Sequence, residues 1–152
     1  MIKRILTGLD YRDTCQEVFE QTLDLALATQ STLKLVNVIA FEKDDSVLFP
    51  PYSDADWSTY KAQYQELETK SSQLLGEFVN KAREAGIATE SAQQVGNAGP
   101  VICQLGSDWQ ADLITVGSHG KKGLREMLLG SVSNYVVHHA TCSVMVVHRP
   151  DR

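Results

Sequence analysis

Five short strand-like runs, four of them apolar, alternate along this chain with stretches of helical periodicity, and that alternation restricts the fold more than any other feature. The runs fall at Ile2 to Leu9, Leu33 to Ile39, Thr89 to Val95, Asp112 to Val116 and Ser143 to His148. Between them apolar residues recur at steps of three and four, the spacing of a helix face. After a polar turn at Asp10 to Asp13, Thr14-x-x-Glu17 can form a capping box, and Val18, Leu23, Leu25, Ala26 and Leu27 give an apolar face up to about Thr29. Positions 57, 60, 64, 67, 74, 75, 78, 79 and 82 mark a long helix that ends near Gly86 and should cover the sheet. Gly99 and Pro100 suit the cap and first position of a third helix, which runs to about Trp109. A fourth helix is expected from Ser131 to about His139. Residues 40–56, with Pro50-Pro51, read as a surface loop and a candidate lid.

Strand and helix in strict alternation imply an α/β fold: an open five-stranded parallel sheet of order 3-2-1-4-5, with right-handed crossovers and helices on both faces. Ligands of such sheets bind beyond the carboxyl ends of the strands, where the strand order reverses. The first and fourth strands flank that point, so Asp10 and the segment after Val116 are expected to face each other across one crevice. With 152 residues the chain suffices for a single domain, residues 1–152, with a core of its own. The last strand is expected at a sheet edge, where an uncovered apolar strand invites pairing with another chain.

The segment after Val116 reads Gly117-Ser118-His119-Gly120-Lys121-Lys122, continues through Arg125, and reaches Gly130-Ser131 at a helix start. Glycines at a strand exit and before a helix let backbone N–H groups close around an anion, which the helix dipole also favours. Lys121, Lys122 and Arg125 concentrate positive charge there, although 14 Lys and Arg against 19 Asp and Glu leave a net charge of -5. That balance argues against nucleic acid or an anionic membrane as the main partner and makes any anion site local. Ser131 can cap the helix and offer a hydroxyl to a phosphate or its metal, and His119 can hydrogen-bond a phosphate. Taken singly, each glycine has a turn-making role as well, and the basic residues have a solvated one.

Asp10 can accept hydrogen bonds from ribose hydroxyls or an adenine amino group, or help hold a metal; its other role is that of a turn or cap residue. His138, His139 and His148 show no ligand spacing with a carboxylate or cysteine. Cys15, Cys103 and Cys142 are far apart and read as small buried residues rather than a disulfide framework. No apolar run approaches a membrane span, and a cytoplasmic protein is expected. Neither a P-loop, a Gly-x-Gly-x-x-Gly fingerprint nor a Gly-x-Ser-x-Gly elbow occurs.

Gly117, Gly120, Gly130 and Ser131 fill the pattern G-x2-G-x9-G-S/T, and with it the chain resembles the nucleotide-binding branch of the universal stress protein family. The likeness extends to Ile5 through Asp10, Leu35 through Val38, Ala111 through Ile114 and Leu128 through Val132; only residues 40 to about 70 lack a match. Where the family often has Gly-Ser after the aspartate this chain has Tyr11-Arg12, and Gly8 replaces a frequent proline. The resemblance implies an adenine nucleotide alpha-hydrolase-like fold and a bound ATP, ADP or AMP with Mg2+ or Mn2+. Adenine would lie near Asp10 and the backbone around Val38, and the phosphates along Gly117, His119, Gly120, Gly130, Ser131 and Ser133. Gly8, Leu9, Val116 and Val132 would line the same site. It also implies a homodimer through the last strand and a stress-response or signalling role exerted through dimer or partner contacts. Two other readings stay open: a slow ATPase or nucleotide phosphohydrolase, and a nucleotide-free interaction protein that docks a protein partner through residues 40–56.

Overall fold

The computed structural model describes residues 1–10, 14–39, 54–118 and 129–149, with residues 54–56 described by backbone alone. The elements run β1 (Arg4–Gly8), α1 (Cys15–Thr29), β2 (Thr32–Ile39), α2 (Asp54–Glu84), β3 (Thr89–Val95), α3 (Ala98–Asp108), β4 (Leu113–Gly117), α4 (Ser131–His139) and β5 (Ser143–Val147). The strands form one parallel sheet of order β3-β2-β1-β4-β5, as the alternation predicts. Ile5 pairs with Leu33 on one side and with Leu113 on the other, so β1 and β4 are neighbours and end at the same edge. Among the described residues β5 pairs only with β4 and is an outer strand.

Alternation of side chains along the strands divides the core into two layers. Ile5, Leu33, Leu35 and Leu113 pack with Val18 and Phe19 of α1 and with Leu75, Phe78 and Ala82 of α2. Leu6, Val36, Ile114 and Val116 face the other way, toward Ile102 of α3 and Val136 of α4. Phe19 and Phe78 stack with centroids 4.3 Å apart, which joins α1 to α2 over the first layer.

The structure revises several local expectations. Thr14 precedes α1, but its side chain makes no cap hydrogen bond; only its carbonyl is used, accepting from Val18 N–H, so the capping box does not form. The buried face of α1 is Cys15, Val18, Phe19, Thr22 and Ala26, while Leu27 is 44% exposed. α3 begins at Ala98 with Asn97 as its cap, which places Pro100 at the third helical position. Proline is tolerated there because the N–H it lacks would have had no intrahelical partner. β4 begins at Leu113, one residue later than expected; the Asp112 carboxylate accepts the N–H groups of Lys3 and Arg4, at 2.7 and 2.9 Å, while its own N–H donates to the Arg4 carbonyl at 2.9 Å. Cys15 is buried, whereas Cys103 and Cys142 are only partly so.

α2 differs from expectation most. Its burial starts at Ser71; Trp57 is 55% exposed, and Tyr60, Tyr64 and Leu67 are half-buried. A helix of 31 residues is roughly 46 Å long at 1.5 Å per residue, longer than any strand here, so only its second half covers the sheet. Among the described residues no helix is long and apolar enough to cross a membrane. The expected loop at 40–56 lies outside the described residues up to 53, and α2 already includes 54–56.

Candidate functional site

The sheet reverses its winding between β1 and β4: β1 leads through α1 to β2 on one side, and β4 leads through α4 to β5 on the other. Gly8 ends β1, with Leu9 and Asp10 just beyond it; Gly117 ends β4, and Ser118 follows. Beneath these ends a chain of buried hydroxyls ties the elements together. Thr115 on β4 donates to Thr7 on β1 at 2.9 Å, and Thr22 of α1 lies 2.9 Å from Thr115. A hydroxyl has one proton, so Thr22 is the donor to Thr115. All three are fully buried, and the platform under the crevice is thereby hydrogen-bonded across β1, β4 and α1.

Gly117 packs closely against α1. A Cβ built there would meet Thr14 Oγ1 at 3.1 Å and Val18 Cγ2 at 3.3 Å, so a side chain fits only if those two side chains give by a few tenths of an ångström. Its backbone is therefore held flush against α1, which leaves the opposite side of the strand end to the α4 terminus. Val116, 2% exposed, belongs to the core and supports this end from below.

α4 starts where the glycine-rich segment returns. Gly130 is its N-cap and Ser131 its exposed first residue, which corrects the expectation that Ser131 caps; among the described residues no side chain caps this end. Gly130 N–H donates to the carbonyl of Ser118 at 2.5 Å. The single hydroxyl proton of buried Ser133 is shared between the same carbonyl, 3.3 Å away, and that of Gly130, 3.1 Å away. These bonds tie the first turn of α4 to the end of β4. The early N–H groups of the helix have no intrahelical acceptor and carry the positive end of its dipole. Half-buried Val132 packs against the second core layer and fixes the rotation of this turn. Ser118 itself is fully buried, and its Oγ has no hydrogen-bond partner among the described residues.

The β2 side of the crevice holds residues that the sequence reading missed. Buried Asn37 donates from Nδ2 to the carbonyl of Leu9 at 2.7 Å, and Ser71 of α2 donates to Asn37 Oδ1 at 2.7 Å. Leu9 N–H donates to Val36 at 2.8 Å, and the Leu9 side chain lies in the first core layer, so only its backbone faces the crevice. Both polar residues left a mark in the sequence: Asn37 interrupts an apolar strand, and Ser71 fills the step between Leu67 and Leu74 on an apolar helix stripe. Val38 is half-buried, its side chain against the second layer.

Asp10 is half-buried and close enough to the Cys15 thiol to help raise its pKa to about 12; burial is the larger cause, and Glu17 adds to it. Cys15 is thus an inert thiol at the start of α1. Among the described residues no group of three His, Cys, Asp or Glu side chains is placed to hold a metal ion. His119, Gly120, Lys121, Lys122 and Arg125, like Tyr11, Arg12 and Asp13, lie outside the described residues. The structure therefore brings Asp10, Val38, Gly117, Gly130, Ser131 and Ser133 to one edge of the sheet. That edge offers uncapped N–H groups, hydroxyls and a carboxylate, a set suited to a ligand with an anionic and a polar end.

The model of the universal stress protein family matches residues 1–148. A universal stress protein of Synechocystis sp. is 34% identical over 148 residues, covering 95% of this chain and 96% of that protein. The fold is similar to that of UspA from Lactobacillus plantarum, with a TM-score of 0.82 and 19% identity over 96% of this chain and 97% of the other. It is also similar to a universal stress protein family protein from Arabidopsis thaliana solved with AMP bound, with a TM-score of 0.64 and 24% identity over 97% and 91% of the two chains.

Proposed function

The chain belongs to the universal stress protein family, and from that premise we propose that it binds an adenine nucleotide, ATP, ADP or AMP, at the carboxyl ends of β1 and β4. The observation that carries this reading is Ser118. A fully buried hydroxyl without a partner costs about 1–3 kcal/mol, and among the described residues Ser118 Oγ has none, at the place where the end of β4 meets the start of α4. A phosphate group there would satisfy donors that the protein alone leaves open. The AMP-bound relative supports an adenine nucleotide as the source of that phosphate.

In this reading the phosphates lie against the N–H groups of Gly130, Ser131, Val132 and Ser133 and along Gly117, His119 and Gly120. Asp10 and the Val38 backbone receive the ribose and base, with Gly8, Leu9 and Val116 shaping the floor. Mg2+ or Mn2+ would be held mainly by the nucleotide, with the Ser131 hydroxyl as a protein ligand, since Mg2+ at phosphate sites takes few protein donors. The outer position of β5 supports a homodimer through Ser143 to Val147, and nucleotide occupancy next to α4, which leads into β5, would alter that contact or one with another protein. We place the protein in the cytoplasm as a stress-response module acting as one domain; its three free cysteines accord with a reducing compartment.

Calorimetric titration of nucleotide-stripped protein with ATP and Mg2+ tests the reading, with binding expected at one site per chain. Absence of heat and of any nucleotide released from denatured, freshly purified protein would overturn it.

A further inference from the structure

The parallel ladder between β1 and β2 stops one rung short. Its bonds include Thr32 N–H to the Lys3 carbonyl, and steps of two residues on each strand bring Val38 N–H opposite the Leu9 carbonyl. Leu9 N–H still makes its bond to Val36, so the strands have not separated there. Among the described residues, however, no backbone bond joins Val38 N–H to Leu9. The Leu9 carbonyl instead accepts from Asn37 Nδ2 at 2.7 Å.

The carboxamide can do this in only one orientation. Ser71 donates to Oδ1 at 2.7 Å, and a hydroxyl that donates there fixes which end of the amide is oxygen. Both side chains are 1% exposed or less, so water does not compete. The pair spans from α2 to the peptide next to Asp10, and its cost is a backbone N–H withdrawn from the sheet. Proteins rarely leave such a group unpaired without use for it.

We infer that Asn37, oriented by Ser71, is a positioning residue that draws the Leu9 carbonyl out of the ladder and so reserves the Val38 N–H for the base of the bound nucleotide. This rests on the nucleotide reading of the site. A peptide N–H pairs with a ring-nitrogen acceptor; adenine presents an unprotonated N1 beside its amino group, whereas guanine carries a proton at N1. The freed rung therefore selects adenine over guanine, while the phosphates are held elsewhere, at α4.

The test uses Asn37→Leu, close in volume and unable to donate, and Ser71→Ala, which leaves the amide free to turn and disturbs the core less. Affinities for ATP, GTP and inorganic tripolyphosphate are measured by calorimetry on the full chain, and exchange of the Val38 amide is followed by NMR without ligand. In the wild type Val38 N–H should exchange faster than Val36 N–H. In Asn37→Leu it should become protected as the Leu9 carbonyl returns to it, ATP affinity should fall about tenfold, the worth of one such hydrogen bond, and tripolyphosphate affinity should stay constant. Ser71→Ala should shift the same quantities by a smaller factor. Equal losses for ATP and tripolyphosphate, an unchanged ATP to GTP ratio in both variants, or a Val38 amide as protected as Val36 in the wild type would each overturn this assignment alone. Wild-type protein that binds neither ATP nor tripolyphosphate ends the parent reading and this one with it.

Discussion

Ser133, in the first turn of α4, donates its hydroxyl to the carbonyl of Ser118 at the end of β4, 3.3 Å away. The same hydroxyl reaches the Gly130 carbonyl at 3.1 Å, so one buried side chain ties the helix start to the strand end across the root of the glycine-rich segment. Ser133→Ala removes the tie but leaves the Gly130 to Ser118 backbone bond in place. Stability should fall by about 1 kcal/mol, the net worth of a hydrogen bond of this kind. Urea denaturation at constant m-value measures it.

Ser118→Ala should act in the opposite sense. Its hydroxyl is buried and has no partner among the described residues, so removing it relieves a desolvation cost, and the ligand-free protein should gain about 1 kcal/mol. ATP binding should weaken in the same variant, a trade of stability against function. A protein that is destabilised and binds ATP unchanged would remove Ser118 from the site.

Gly99 of α3 lies against Tyr135 of α4, where a Cβ would come within 2.8 Å of the ring. Gly99→Ala must therefore displace the ring, which itself stacks on His139 at 3.9 Å, and the cost should be about 1–3 kcal/mol. Pairing it with Tyr135→Leu should recover part of that loss. Additive effects in the double-mutant cycle would contradict the contact.

The buried hydroxyl chain predicts a non-additive series. Thr22→Val deletes the donor to Thr115 and should cost about 1 kcal/mol, while the triple change of Thr7, Thr22 and Thr115 to Val should cost less than the sum of the three singles. Replacing every partner with an isosteric apolar group leaves no polar atom unpaired. Thermal unfolding of the four variants decides it.

Cys15 sets a pH dependence. Burial first, then the charges of Asp10 and Glu17, push its thiol from 9.0 up to about 12, so the folded chain keeps a proton that the unfolded chain releases above about 9. The unfolded state then binds fewer protons, and stability falls as pH rises from about 9 toward 12, the full contribution being present below 9. Cys15→Ala should flatten this slope between pH 8 and 10.5 in urea denaturation. Native Cys15 should also resist alkylation at pH 8 until the protein unfolds.

Much of the fold was legible because it rests on local periodicity. Strand-like runs located all five strands within two residues of their ends; four of them are mostly buried or half-buried and read as apolar segments, whereas β3, TESAQQV, is mostly polar and exposed and was placed by its position between helix and turn signals. The α2 stripe was visible as well, but which half of it covers the sheet was not, since Trp57 and Leu75 look alike until the strand lengths are set beside the helix. At α1, Thr14 and Glu17 have the spacing of a capping box, yet the chain enters the helix in a conformation that leaves the threonine hydroxyl away from the N–H groups.

The candidate site divides in the same way. Order along the chain determined that Asp10, Gly117 and Gly130 come to one edge of the sheet, because a right-handed β-α-β succession permits only a few sheet orders. Spacing alone also marked the glycines. Only the tertiary structure decided what each polar group does there. Asn37 reaches the Leu9 carbonyl, Ser71 orients it from a helix 34 residues away, and the Ser118 hydroxyl finds no partner among the described residues. A sequence carries residue types and their periods, which are properties of neighbours along the chain. A hydrogen bond depends on distance and direction between groups that only packing brings together.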